Sequence, residues 1–230
     1  MKPVKEQRQG RVTRGPGSRR RGEEMRLRLL EATLRTIAGS GFQSVTHRSV
    51  AKEAGVSLAL TTYYFASLTD MIAQAFDLFV ARGQPDIDEV FVDVMGVLEK
   101  RTADRAPTLA ERRQMAQYAA RRTTRYILAQ LGKPNSGIAI DVAFLYQPQL
   151  APELAARVAA YRGQLLERFR SFCACFMRDQ AQEAAELALG TVLRLEFESL
   201  NPALAPGEVA MQAQLQLLFD WIAGAGREST

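Results

Sequence analysis

A chain of 230 residues that is 47% hydrophobic and 24% charged has room for a small module and a larger body, each with its own core. One histidine in all, and no HExxH, GxSxG, P-loop or dinucleotide fingerprint, leave the usual enzyme classes without a candidate site. No apolar run approaches the roughly 20 residues a membrane helix needs, and the basic start lacks the apolar stretch of a signal peptide, so a soluble cytoplasmic protein is expected.

Charge is uneven along the chain. Residues 1–22 hold Lys2, Lys5, Arg8, Arg11, Arg14, Arg19, Arg20 and Arg21 against Glu6 alone, a net +7 that leaves the remainder at −2. This segment reads as a disordered basic arm over residues 1–22, able to follow phosphates or enter a minor groove, or else to stay a solvated tail.

Next, Leu27, Leu30, Leu34, Ile37 and Ala38 recur at helical spacing until Gly39 and Gly41 stop the helix before Phe42. From Val45 to Phe65 two short helices are predicted around a glycine turn. Thr46 caps the first, which buries Val50, Ala51 and Ala54; Gly55 makes the turn; Ser57 caps the second. The segment scans as a helix-turn-helix. Ser67-Leu68-Thr69-Asp70 then opens a fourth helix whose apolar stripe is Ile72, Ala75, Phe76, Phe79 and Val80, and Gly83 and Pro85 are expected to interrupt it. A domain boundary near 82–86 follows, giving a DNA-binding module over 23–82 and a body over 83–230.

Helical periodicity continues through 87–104, 109–131, 137–147, 152–178, 180–199 and 207–224, punctuated by Pro107, Pro134, Pro148, Pro152, Pro202 and Pro206. The fold class is therefore all-α. Cys173 and Cys175 are two apart, so on a helix they face different ways and form neither a metal cage nor an ordinary disulfide; no metal or cofactor is expected. The last two helices carry more apolar surface than one hairpin buries. Pairing with a second copy through Leu189, Leu193, Phe197, Leu218, Trp221 and Ile222 is the expectation, against an ordinary core.

Gly41-Phe42, the capping Thr46, the A-x-x-A-G-V-S run from Ala51 to Ser57, and Tyr63-Tyr64-Phe65 together resemble the TetR family of one-component transcriptional regulators. The likeness is strong over roughly 25–80 and architectural beyond. It implies a three-helix DNA-binding domain with a linking helix, followed by a larger helical domain for effector binding and dimerisation. DNA-facing positions carried over are Thr46, His47, Arg48, Ser57, Leu58, Ala59, Thr61, Thr62, Tyr63 and Tyr64, with Arg48 on base or phosphate, the short side chains near the groove and the tyrosines on phosphate. Phe65 belongs to the core. Leu68 departs from the family pattern, standing where many members place a phosphate-contacting Lys.

The resemblance also implies a small-molecule pocket in the body, for which Phe91, Met95, Met115, Tyr118, Arg122, Tyr126, Phe144 and Tyr146 are the candidates, against a plain packed core. Arg122 or Arg125 would then pair with an anionic ligand, or face solvent. Thr123 and Thr124 read as part of one polar helix face, and His47 as a polar residue near phosphate rather than a catalyst. The expected partners are double-stranded operator DNA, a second copy of the chain and a small-molecule effector, in a repressor released from a palindromic operator. The rivals are a family member that activates or takes no ligand, and a nucleoid-type protein that binds DNA without reading it.

Overall fold

The computed structural model describes residues 16–102, 105–133 and 137–225. Among the described residues the regular structure is nine α-helices and two 3₁₀ turns, without a strand. The expected all-α class holds. Helix α1 spans Pro16–Ser40, starting on a proline whose missing N–H costs nothing in a first turn. Residues 16–22 are thus helical rather than part of a disordered arm, and residues 1–15 lie outside the described residues. The buried stripe of α1 centres on Leu29, Ala32, Thr33 and Ile37, while Leu27 stays exposed. Thr33 and Thr36 donate their hydroxyls to the carbonyls of Leu29 and Ala32, which lets two polar side chains enter the core.

Gly41, at φ 82°, takes the left-handed conformation needed to leave α1, and the 3₁₀ turn Phe42–Ser44 leads to α2, His47–Ala54. Helix α3 is Leu58–Tyr64 and α4 is Leu68–Thr102. At the start of α4, Ser67 accepts the N–H of Asp70 while Asp70 accepts that of Ala66, a reciprocal cap.

The expected break at Gly83 and Pro85 does not occur. Helix α4 runs through both, about 50 Å of continuous rod at 1.5 Å per residue. Pro85 deprives only the Ala81 carbonyl of its partner, and Ala81 and Pro85 both lie on the exposed side of the helix. Side-chain bonds then hold the rod on every flank: Arg82 to Glu31 of α1 at 2.6 Å, Asp86 to Lys133 at 2.6 Å, and Asp88 to Arg168 at 2.6 Å. Residues 87–102 are accordingly the second half of α4 rather than a separate helix, residues 103 and 104 lying outside the described residues, and positions 82–86 fall within one continuous helix.

The body comprises α5 (Leu109–Leu131), α6 (Gly137–Leu145), α7 (Pro152–Ala174), α8 (Ala181–Ser199) and α9 (Glu208–Ile222). Helix α5 packs chiefly on α9, α7 on α8, and α4 runs against α5 and α7. The short α6 touches α1 as well as α8. Its Phe144 is fully buried, with its ring centroid 5.6 Å from Phe42 and 4.7 Å from Phe76. Head and body therefore share one continuous core.

Candidate nucleic-acid interface and body cavity

Local chemistry fixes the head. Thr46 and Ser49 form a capping box on α2, with Ser49 N–H to Thr46 Oγ1 at 3.0 Å and Thr46 N–H to Ser49 Oγ at 2.8 Å. At the other end Gly55 sits at φ 64°, and the N–H of Val56 returns to Ala51 O at 3.0 Å, closing the helix as a left-handed cap. A Cβ on Gly55 would lie 3.3 Å from Arg28 Nη2, so both conformation and space favour glycine here.

Helix α3 then presents a face made of Leu58, Ala59, Thr62 and Tyr63, all exposed, with Leu58 at 45% and Tyr63 at 61%. These positions follow i, i+1, i+4, i+5, one side of a helix. Thr61 is on the other side. It is fully buried, donates to Leu58 O at 2.8 Å, and lies 3.0 Å from His47 Nδ1. Since the hydroxyl proton is spent on Leu58, the histidine nitrogen is the donor in that second bond. Thr61 is thus turned away from the outward face on which it was expected, and with half-buried His47 it forms a pin between α2 and α3. Ser57 occupies the cap position of α3 without a side-chain cap bond, so its hydroxyl does not seal the helix end as predicted.

Arg48 and Thr46 are exposed on the same head, the Thr46 hydroxyl being engaged in its cap. Tyr64 is half-buried: its ring stands edge-on to Tyr63 at 5.0 Å, and its hydroxyl faces Gly22 of α1. The basic run that ends at Arg21 is thereby set beside the C-terminal end of α3. Phe65 is buried, with the Arg26 guanidinium 5.7 Å from its ring centroid. Leu68 packs half-buried against the core.

In the body, a cavity of about 70 Å³ opens between helices α4 to α9. Its wall is aromatic and aliphatic, with Phe91, Phe169, Phe172 and Phe219 prominent, and two acids reach it, Asp141 from α6 and Glu196 from α8. Asp141 is 8% exposed and Glu196 4%, and Asp141 Oδ1 and Glu196 Oε2 have no hydrogen-bond partner. The Tyr161 hydroxyl donates to the Asp141 carboxyl. Burial pushes the Asp141 carboxyl up to about 7 despite that bond. Burial, then the neighbouring Asp141 charge, raises Glu196 well above the usual carboxylate range. Tyr126 and Tyr161 are pushed up as well, mainly by burial and then by the acids. No Lys or Arg lines this cavity among the described residues.

Of the pocket residues proposed from sequence, Phe91 and Tyr126 line the cavity. Met95 and Tyr118 are half-buried elsewhere, Met115 is in the core, and Phe144 belongs to the aromatic cluster with Phe42 and Phe76. Tyr146 is 51% exposed, its ring 5.7 Å from that of Phe197. Arg122 is committed to Asp93 at 2.9 Å and Glu89 at 3.0 Å on α4, so it does not await an anion. Thr123 and Thr124 are buried rather than on a polar face, Thr123 against the cavity. Asp141, Glu196 and Tyr161 escaped the sequence reading. The signal was present: each acid interrupts an apolar face at helical spacing, Asp141 beside Ile138 and Phe144, Glu196 beside Leu189, Val192 and Leu193.

On the α8–α9 pair the proposed interface residues split. Leu189, Leu193 and Ile222 are buried within the protomer, two of them against the cavity, because they lie on the inward stripe. Phe197 and Trp221 are exposed and Leu218 is half-buried; exposed Leu187 and Leu217 extend this outer apolar surface. Cys173 is buried, with its thiol pushed up to about 12 by burial, and Cys175 is exposed; both are free thiols.

Residues 29–75 match the family model of the bacterial regulatory proteins of the tetR family. The fold is similar to that of a transcriptional regulator from Rhodococcus sp. RHA1, at 20% identity over 86% of this chain and 96% of that one, with a TM-score of 0.61. It is similar also to a putative transcriptional regulator from Saccharomonospora viridis in complex with choline, at 17% identity over 86% and 96%, TM-score 0.63. A third similar structure is the multidrug binding protein EbrR complexed with ethidium, at 21% identity over 84% and 98%, TM-score 0.52. No curated protein sequence matches this chain.

Proposed function

The chain belongs to the TetR family of bacterial regulatory proteins, with the family's DNA-binding module at residues 29–75, and from that premise we propose that it represses transcription as a homodimer released from a palindromic operator by a small molecule. The observation that carries the DNA-reading half is the outward face of α3. A seven-residue helix gains nothing for its own core by exposing Leu58 and Tyr63, whereas a methyl- and hydroxyl-bearing face of Leu58, Ala59, Thr62 and Tyr63 suits thymine methyls, base edges and phosphates. Arg48 supplies a cation at the rim. The end of the basic segment at α1 adds attraction to phosphate.

The release half rests on the cavity and on its connection to the head. Helix α6 carries Asp141 into the cavity and, one turn on, Phe144 against Phe42 and Phe76. A ligand that repositions α6 pushes on the floor of the head, and α4, clamped to α1 by Arg82–Glu31, transmits the same displacement. In a dimer the two reading helices then change separation relative to half-sites about 34–36 Å apart. A thousandfold release requires about 4 kcal/mol of coupling between effector and operator.

The test is selection of bound sequences from random duplex DNA, followed by titration of the enriched sequence across salt. An enriched palindrome bound at least a thousandfold more tightly than random DNA supports a specific dimeric regulator. Equal affinity for all sequences, falling steeply with salt, overturns it in favour of nucleoid-type binding.

A further inference from the structure

We propose that the effector is an organic cation, a quaternary ammonium or protonated amine, with its charge between Asp141 and Glu196 and its apolar body against the aromatic wall. This rests on the reading of the body cavity as the effector site, and it names the chemical class that site selects. Two acids from different helices, α6 and α8, reach one cavity, each more than nine-tenths buried and each with a carboxyl oxygen lacking any partner. Buried acids are ordinarily paired or fully hydrogen-bonded. Among the described residues the hydroxyl of Tyr161 bonds Asp141, and no basic side chain lines the space to balance the two acids. A bound cation completes this arrangement.

The walls decide which cation. Phe91, Phe169, Phe172, Phe219, Tyr126 and Tyr161 offer ring faces and edges, surfaces that attract an ammonium whose charge is spread over methyl or methylene groups. A metal ion needs oxygen or nitrogen on most sides, and no group of three or more His, Cys, Asp or Glu suited to a metal occurs among the described residues. An anion would meet two carboxyls and no cation. The acids also border a second, smaller cavity of about 30 Å³, which is lined by Gly83 of α4 and Gly137 of α6. Those two glycines border as well the surface cleft of Arg82, Asp86 and Lys133, which sets the acids one layer behind the seam where α4 and α6 meet the head.

Binding carries a proton signature. The groups facing the acid pair are Tyr126 from α5, Tyr161 from α7 and, further out, Asp86 from α4 and Tyr146 just past the end of α6. Burial keeps the tyrosines protonated, and Lys133 with Gln130 keeps Asp86 ionised. A proton displaced by a cation near neutral pH therefore comes from Asp141 and Glu196.

The experiment is calorimetric titration of the full chain with choline, tetraethylammonium and ethidium, with 3,3-dimethylbutan-1-ol as the uncharged isostere of choline, and with benzoate and magnesium chloride. At least one organic cation is expected to bind, with affinity reduced tenfold or more by Asp141→Asn and by Glu196→Gln, and with proton release seen as a buffer-dependent heat. The wild-type proton release tests the inference even if a variant fails to fold. No binding by any of the three cations, binding indifferent to both substitutions, no proton release, equal binding of choline and its isostere, or preferential binding of benzoate or magnesium overturns it. An operator found by selection that no cation releases or binds beside ends this inference and leaves the DNA reading intact. A chain that binds a cation through Asp141 yet enriches no DNA sequence does the reverse.

Discussion

The ring of Phe144, at the end of α6, meets the ring of Phe42 edge to face at 5.6 Å and 85°, so a residue of the body and a residue at the foot of the reading head form one packed pair. Edge-to-face pairs contribute about 0.5–1.5 kcal/mol beyond their burial, enough to pass a displacement from one helix to the other. Phe42→Leu is expected to keep operator affinity within about threefold of the wild type while lowering the effector's release of operator by about tenfold. Operator titrations with and without effector measure both numbers. A Phe42→Leu protein that responds fully would show that α4 alone carries the signal.

Thr61 and Tyr63 are two residues apart and perform opposite tasks. Thr61→Val keeps the shape of a buried side chain but removes both its bond to Leu58 O and the partner of His47 Nδ1, an expected loss of about 1–3 kcal/mol of stability. Tyr63→Ala, at a 61% exposed position, is expected to leave stability within about 0.5 kcal/mol and to weaken operator binding tenfold or more. Chemical denaturation and DNA titration on both variants separate the pin from the reader. If Tyr63→Ala binds operator like the wild type, the outward face of α3 has been assigned to the wrong role.

Much of the head was legible because its determinants are local: a capping threonine, a glycine in the left-handed region at Gly55, and an apolar stripe all act within a few residues. The facing of α3 was less so. Thr61 and Thr62 are chemically alike, and the packing of α3 on α2, with His47 bonded to Thr61, is what turns Thr61 inward. Pro85 misled for a related reason, since the ion pairs that sustain α4 come from Glu31, Lys133 and Arg168, far away in sequence. The cavity acids were hidden because burial of a carboxyl is settled by tertiary packing, although a lone charge such as Asp141 between Ile140 and Val142 marks the place to look.

Stability should depend on pH through Asp141. Its carboxyl is raised in the folded chain to about 7 from an ordinary value of 3.8, so between those values the folded state holds a proton that the unfolded state has released. By linkage the contribution is complete below about pH 4 and is lost progressively as pH rises to about 7, with Glu196 adding in the same direction. Melting temperature is therefore expected to fall across pH 5–7.5, and Asp141→Asn to flatten that slope. An unchanged slope in the Asn variant would place the titrating proton elsewhere.

The outer surface of α8 and α9 carries the quaternary prediction. Leu187, Phe197, Leu217 and Trp221 are exposed on adjacent helices, Leu217 at 74% and Trp221 at 42%, and Arg194 of α8 bonds Gln214 of α9 between them. Four large apolar side chains left exposed on one helix pair suit an interaction surface, and two such helix pairs can close as a four-helix interface with twofold symmetry. Leu217→Asp and Trp221→Asp are expected to sediment as monomers and to bind an operator half-site in place of the full palindrome, losing at least tenfold in affinity. Because Leu217 touches little of its own protomer, Leu217→Asp should keep its helical signal, whereas an acid at buried Leu193 would unfold the body. Fully dimeric behaviour of both variants would move the interface to another face, and a wild-type protein that sediments as a monomer at micromolar concentration would remove it.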